Sequence, residues 1–501
     1  MTIDPNYQAL QEAVFLRRPG LGEVLDRHGH ESVAQYAETL RINEQITPDS
    51  RKEEFIGEVA QAAMGYFGEA TGASVARQLR HYYYVSTTDH LGILNHPFFI
   101  NGDIMSALPY VSGRDTNHEN TIVLACGNIS LNNSSWPRSL FCHLPDGLGA
   151  EEVRFNFFSA SDHLSPVFRF RAITTEDVGK FRQKIETGCR QQKYSGAIAA
   201  KLESVLTDVY DQPQILERTY FSEQLALTNS LLWQRFFSAS ETTLPQLIYL
   251  QQEDIVLNLL KKYHLTSPTE MHAFIFDTDI SRRIMELFAG IPGAFSTAEH
   301  KGTYLFWYFP PHSRVRIPLQ REGDDLLSLD GAHRIPLTPE KIKELIDGRE
   351  LIPSMMLCLV TLAGYYGVKC LGGFSQVDYL GKIITAYKTL FGLDSQEQDK
   401  IFSQGFCGEL ILGTVASDKK LLPATGLDFI LYNDTTSFRE YCDNAQRITL
   451  REAASLMMPE FYRILYREGE RRSDIMAIDH ETISSLLGLE GRLVPSLRLT
   501  A

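Results

Sequence analysis

The spacing of apolar residues changes several times along this chain, and those changes limit what it can fold into. From residue 5 to about 80, runs such as QALQEAVFL, ESVAQYAETL and RKEEFIGEVAQAAMGYF repeat apolar positions every three or four residues, which puts them on one face of a helix. From Thr121 to Phe158 the pattern shortens to β-rich runs, TIVLAC, RSLFCHL and EVRFNFF, punctuated by Asn, Pro and Gly. These predict a small sheet. Helical spacing returns at Thr175 and continues through Leu216–Phe237 and Leu250–Tyr263. TYLFWYF and RVRIPL, joined by PPHS, predict a hairpin or adjacent strands between Lys301 and Leu319. Thr338 before Pro339 opens a helix, because threonine caps free amides and proline is tolerated at the first helical position. GELILGTVA and GLDFILY read as late strands, and Thr449 with Glu452 has capping-box spacing ahead of a closing helical segment.

The expected fold is therefore α+β, with a helical N-terminal part, mixed sheets in the middle and a helical C-terminal end. Three regions are marked: residues 1–80, a mixed region 81–350 that carries the candidate site loops, and residues 351–501 packing on the same core. The strand groups near 121–170, 303–319 and 407–432 are compatible with one sheet or with two domains, since separated strands often rejoin in large single-core proteins. Ser354–Val368 (SMMLCLVTLAGYYGV) is the most apolar stretch and falls short of the roughly 20 residues a bilayer requires. It reads as a buried helix with Gly367 at its left-handed cap.

Composition narrows the function classes. At 44% hydrophobic and 22% charged, the chain has ample material for a core. A formal charge of −14 excludes a general nucleic-acid binder, which needs a basic stripe to displace counterions. Seven cysteines without a C-x-x-C pair form neither a disulfide framework nor a zinc ribbon. The first twenty residues place acid before and arginine after the apolar run, the reverse of a secretory signal. A cytoplasmic protein with a small-molecule substrate and no membrane partner is expected.

The site is expected between His81 and His163, where His81, His90, His96, His118, His143 and His163 make up six of the fourteen histidines. The segment reads HYYYVSTTDHLGILNHPFFINGD, and the three tyrosines suit an extended piece whose side chains alternate between faces. Imidazole is the commonest metal ligand, so His90, His96 and either His163 or Asp89 form a candidate set for one divalent ion, zinc or iron. The H-x5-H spacing does not by itself put two nitrogens on one helical face. Without a metal, Asp89 or Asp162 would orient a histidine that works as general acid or base, with cross-pairing of Asp162 to His90 the natural geometry. Cys126, delivered to a turn by TIVLA, is a candidate nucleophile, although free cysteine is more often a small buried hydrophobe. Asn128, Asn132, Asn133 and Arg138 in GNISLNNSSWPR could bind a polar or anionic molecule or simply build turns. Trp136 would flank a planar ligand or fill the core. In CLGGFSQVDYLGK, the Gly-Gly turn with Gln376, Asp378, Tyr379 and Lys382 suits a cleft wall, or a capping turn and helix. STTDHL at 86–91 and SASDHL at 159–164 echo each other.

Phosphate-loop, dinucleotide, nucleophile-elbow and helical zinc motifs are missing from the sequence. Three functions remain. The first is an enzyme acting on a small polar metabolite through histidines and acids, with or without one metal, of hydrolase or oxygenase type. The second is a metal-free transferase or hydrolase using Cys126 and a histidine base. The third is a non-catalytic protein that binds a ligand or partner.

Overall fold

A computed structural model describes residues 4–42, 47–112, 115, 117–146, 148–237, 244–296, 301–311, 313–393, 406–489 and 492–499. The chain is α+β, with its sheets in the middle and helices towards both ends. It opens with the helices Pro5–Arg17, Pro19–His28, Val33–Thr39, Asp49–Phe67 and Glu69–His81.

At the centre lies a parallel sheet of five strands drawn from most of the sequence. In chain order these are β1 (Tyr84–Ser86), β2 (Asn120–Ala125), β3 (Gln246–Gln251), β4 (Lys369–Gly372) and β5 (Phe406–Cys407). Their spatial order is β3-β2-β1-β4-β5, and every pairing between them is parallel. The near-continuous apolar runs follow from this, because a parallel sheet covered on both faces buries every side chain. Tyr84, Val123, Ala125, Leu247, Tyr249 and Leu371 face one core, whereas Val85, Ile122, Leu124, Ile248, Leu250 and Cys370 face the other. The first core takes in the helix Pro97–Ser112 through Ile100, Ile104 and Leu108. The second takes in Phe55 and Val59 of Asp49–Phe67 and Leu380 and Ile383 of the helix Gln376–Phe391. The consecutive tyrosines obey the same alternation: the Tyr83 hydroxyl donates to the Tyr366 carbonyl at 2.9 Å on one side, and Tyr84 to the Ser106 carbonyl at 3.1 Å on the other.

The remaining strands lie outside this sheet. TIVLAC enters it as β2, while Ser139–Leu144 and Glu151–Asn156 pair only with each other, so the single small sheet expected over 121–158 is divided. The expected hairpin forms, with Trp307 opposite Pro318 and Tyr308 opposite Ile317, and extends into a separate five-stranded antiparallel sheet. A third sheet joins Gly413–Ala416 to Leu421–Pro423 and to Val494–Arg498, a terminal strand not foreseen in the sequence. GLDFILY is a helix, Gly426–Tyr432, rather than a strand. Thr425 accepts from the Asp428 amide at 3.1 Å and the Asp428 carboxylate accepts from the Thr425 amide at 2.9 Å, a capping box that fixes helical geometry. Met355–Leu359 continues through a wider turn over Val360–Tyr365 and ends at Gly367 with φ of 63°, as its composition predicts. Among the described residues no helix is long and apolar enough to cross a membrane.

Candidate functional site

All five strands of the parallel sheet end at the same edge, and the residues that follow them converge on one cleft of about 540 Å3. Thr87, Thr88, Asp89 and His90 come after β1, Cys126 after β2, Gln252 after β3, Gly373 to Gln376 after β4 and Glu409 shortly after β5. From β1 the chain builds outward to β2 and β3 on one side and later to β4 and β5 on the other. This reversal opens a crevice at the carboxyl ends of β1 and β4, the place where open α/β sheets bind ligands. The Gln376 amide spans it, donating to Thr87 Oγ1 at 2.8 Å.

The loop after β1 is held on both sides. Thr87 donates its amide to the Leu371 carbonyl at 2.7 Å, Cys126 donates to the Asp89 carbonyl at 2.8 Å, and Leu91 donates to the Cys126 carbonyl at 2.8 Å. The backbone at Asp89 and His90 is thereby fixed, and their side chains face the cleft. The Tyr249 hydroxyl beside Asp89 donates to the His90 carbonyl at 3.2 Å.

Hydrogen bonding assigns the two cleft histidines opposite tautomers. Asn133 Oδ1 accepts from the Ser135 amide at 3.0 Å and the Ser135 hydroxyl at 2.8 Å, so the atom that meets His90 Nδ1 at 3.1 Å is an acceptor. His90 therefore carries its proton on Nδ1 and presents a bare Nε2. His96 Nδ1 instead accepts from the Phe98 amide at 3.3 Å, at the start of helix Pro97–Ser112, which leaves the proton on Nε2. Burial lowers the pKa of both, partly offset for His90 by the Asn133 bond, and that of His96 falls to about 3 with help from His90. One ring accepts a proton and the other donates a hydrogen bond.

Acidic groups form the floor. Asp89 is fully buried with no cation beside it, and the Tyr249 hydroxyl is its one side-chain donor. Asp103, behind it on Pro97–Ser112, is fully buried as well, and neither of its carboxyl oxygens has a hydrogen-bond partner. Burial raises both pKa values well above the usual carboxylate range; at Asp89 the Tyr249 bond opposes this and Glu409 adds to it, and at Asp103 Asp89 adds to it. Glu409 accepts from the Phe374 amide at 2.6 Å, and burial outweighs that bond to lift its pKa to about 7. Glu253, next to Gln252, accepts from the amides of Gly127 at 2.7 Å and Asn128 at 2.8 Å, and is likewise lifted to about 7. Phe98, Phe99, Phe374, Tyr379 and Met355 supply apolar walls. At the rim, Trp136 has φ of 54° and carries the Arg154 guanidinium 3.6 Å above its ring.

The structure brings together Asp89, His90, His96, Cys126, Gln376 and Tyr379 of the residues singled out in the sequence. Asn133 acts behind His90. Other candidates are placed elsewhere. Asp162 pairs with the exposed Arg314 at 3.3 Å in a separate groove rather than with His90. His163 turns Nδ1 onto the Ala160 carbonyl at 2.6 Å, so the set His90, His96 and His163 is not assembled. Among the described residues, no three His, Cys, Asp or Glu side chains are grouped to hold a metal ion. The echo of STTDHL and SASDHL is not a shared role, because Asp89 is buried at a strand end while Asp162 lies in a surface 3-10 turn.

Cys126 sits 3.5 Å from Glu253 Oε1, and burial together with that carboxylate pushes its thiol pKa well up, the opposite of an activated nucleophile. Asn128 is taken up by the Pro353 carbonyl at 3.2 Å and by Arg316. Asn132 accepts from the Ser130 hydroxyl at 2.5 Å in the turn, and Arg138 donates to the Ser159 carbonyl at 2.8 Å, both of them structural roles. Asp378 accepts from the Gly20 amide at 2.6 Å and, with Lys382, faces a different depression. Sequence reasoning missed Asp103, Glu253 and Glu409. Asp103 and Glu409 are each a lone acid beside an apolar run, in NGDIMSAL and CGELILG, and that isolation is the signal that could have found them; Glu253, in QQED, carries no such signal.

No protein-family model matches this sequence, and no curated protein is detectably similar to it.

Proposed function

We propose that this chain is an enzyme that transfers protons to and from a small polar metabolite in the cleft at the carboxyl edge of its parallel sheet. The observation that carries this reading is the pairing of opposite histidine tautomers above carboxyl groups that burial pushes upward in pKa, Glu409 to about 7. A general base must be unprotonated and a general acid protonated at the same pH, and groups pushed apart in this way meet that condition. His90 Nε2 takes a proton from the substrate, with Asn133 stabilising the imidazolium that forms. His96 Nε2–H donates to an oxygen that gains charge. The His90 imidazolium then returns the proton to the product, while Glu409 at the floor holds the polar end of the substrate. Residues on strand ends hold these groups rigidly, as proton transfer over hydrogen-bond distances requires.

The test is consumption of compounds from a pool of small polar metabolites, followed by mass spectrometry. Turnover should fall by about 10²–10⁴-fold in His90→Gln, the usual contribution of a positioned acid or base. Undiminished turnover in His90→Gln and Glu409→Gln would sink the reading. Compounds retained but never converted would point instead to a binding protein.

A further inference from the structure

The buried acids of this molecule fall into two groups. Asp428 meets His143 Nδ1 at 2.7 Å, Asp177 meets Arg171 at 2.6 Å, Glu58 meets Lys262 at 2.6 Å and Glu253 holds two backbone amides. Each has the cation or donors that a buried carboxylate needs. Asp89 has no cation and only the Tyr249 hydroxyl beside it, Asp103 has neither cation nor donor, and Glu409 holds a single amide. Asp89 lies within electrostatic reach of both Glu409 and Asp103, and Asp89 and Glu409 line the cleft.

The cations at the cleft do not neutralise them. Arg154 pairs with Glu152, and Arg463 pairs with Glu460 at 3.1 Å, both near the mouth. The floor therefore carries unmatched acidic capacity beneath walls of Phe98, Phe99, Phe374 and Tyr379.

We infer that the ligand of this cleft carries a protonated amine at one end, seated on Glu409 with Asp89 buried beneath it, and a planar apolar body held between the aromatic walls. The inference rests on the reading of this cleft as the reaction site, and it names the substrate class. The amine supplies the missing counterion, and the space above it is of the size that takes a small organic molecule. An anionic end at the floor would instead bring like charges together.

Calorimetric titration of the full chain with 2-phenylethylamine, 2-phenylethanol, 3-phenylpropionate and ammonium chloride tests this. The amine should bind at least tenfold more tightly than the alcohol, and the propionate and ammonium ion more weakly still. In Glu409→Gln, whose amide oxygen still accepts from Phe374, and in Asp89→Asn, that preference should shrink at least tenfold with the circular dichroism spectrum unchanged. Two variants keep the test decisive if one fails to fold. Equal binding of alcohol and amine, equal binding of ammonium ion, or a preference that survives both substitutions would overturn the inference. Amine preference without turnover of any compound removes the catalytic reading and leaves this one standing, whereas turnover of compounds lacking an amine, with no amine preference, does the reverse.

Discussion

An unpartnered carboxyl group inside a protein works against folding, and Asp103 isolates that effect because it stands behind the cleft rather than in it. Burial raises its pKa above the unfolded value, so the folded state keeps a proton that the unfolded chain releases. Whatever stability Asp103 confers is thus complete below the unfolded pKa and is lost as pH rises through the folded one. Glu253 and Glu409 share the sign, with folded values of about 7 against 4.5 and a loss on the order of 3 kcal/mol each between those limits. Asp103→Asn should therefore stabilise the protein by about 1–3 kcal/mol at pH 8 and by less at pH 5. Urea denaturation at the two pH values measures it, and a variant that is destabilised at pH 8 would show that the group has a partner. Asn133 makes a different prediction at the same scale. In Asn133→Ala combined with Ser135→Ala, which also removes the hydroxyl 3.3 Å from Nδ1, His90 loses the acceptors that keep its proton on Nδ1, so turnover should fall about 10-fold or more while ligand binding changes little. An unaltered pH profile and rate would remove the tautomer argument.

At the scale of elements, the turn after β4 shows how the backbone shapes the floor. A Cβ at Gly373 would come within 2.7 Å of Glu409 Oε1 and 3.0 Å of Oε2, so the glycine is what lets that carboxyl lie against the loop. Gly373→Ala should cost about 1–3 kcal/mol through overpacking and should displace Glu409, weakening ligand binding along with it. Calorimetry on the variant separates the two effects, and unchanged binding would mean that Glu409 does not contact the ligand. Elements of this kind were only partly readable in the sequence. The amphipathic helices, the Thr338 and Thr449 caps and the Phe306–Glu322 hairpin were, because periodicity and capping are local properties. β1, β4 and β5 were not, since each is four residues or fewer and is specified by neighbours far along the chain. GLDFILY misled because its β-like apolar run is overruled by the Thr425–Asp428 box and by His143 against Asp428. In the site, the loop after β1 was found from its histidines. Glu409 was not, because only the fold brings residue 409 beside residue 89.

At the scale of the whole molecule, the parallel sheet joins strands from before and after residue 350. The boundary drawn at 350/351 separates β4 and β5 from β1, with Tyr84 opposite Lys369 and Ser86 opposite Leu371 in register across it. Each of the four longer-range strands β1 to β4 also contributes side chains to both hydrophobic cores, so melting one core strips the same strands of cover on their other face. Buried parallel pairs have no stable half-covered state to rest in, because their exposed backs are as apolar as their buried fronts. The three tryptophans report from different places: Trp233 inside the first core, Trp307 packed against the second, and Trp136 on the cleft rim. Variants retaining one tryptophan each, with phenylalanine at the other two positions, should therefore unfold in urea at coincident midpoints, and residues 351–501 expressed alone should not fold. Separate transitions for Trp233 and Trp307 would mean that the cores melt independently, and the cleft, which draws one wall from each side of the sheet, would then open before the molecule as a whole unfolds.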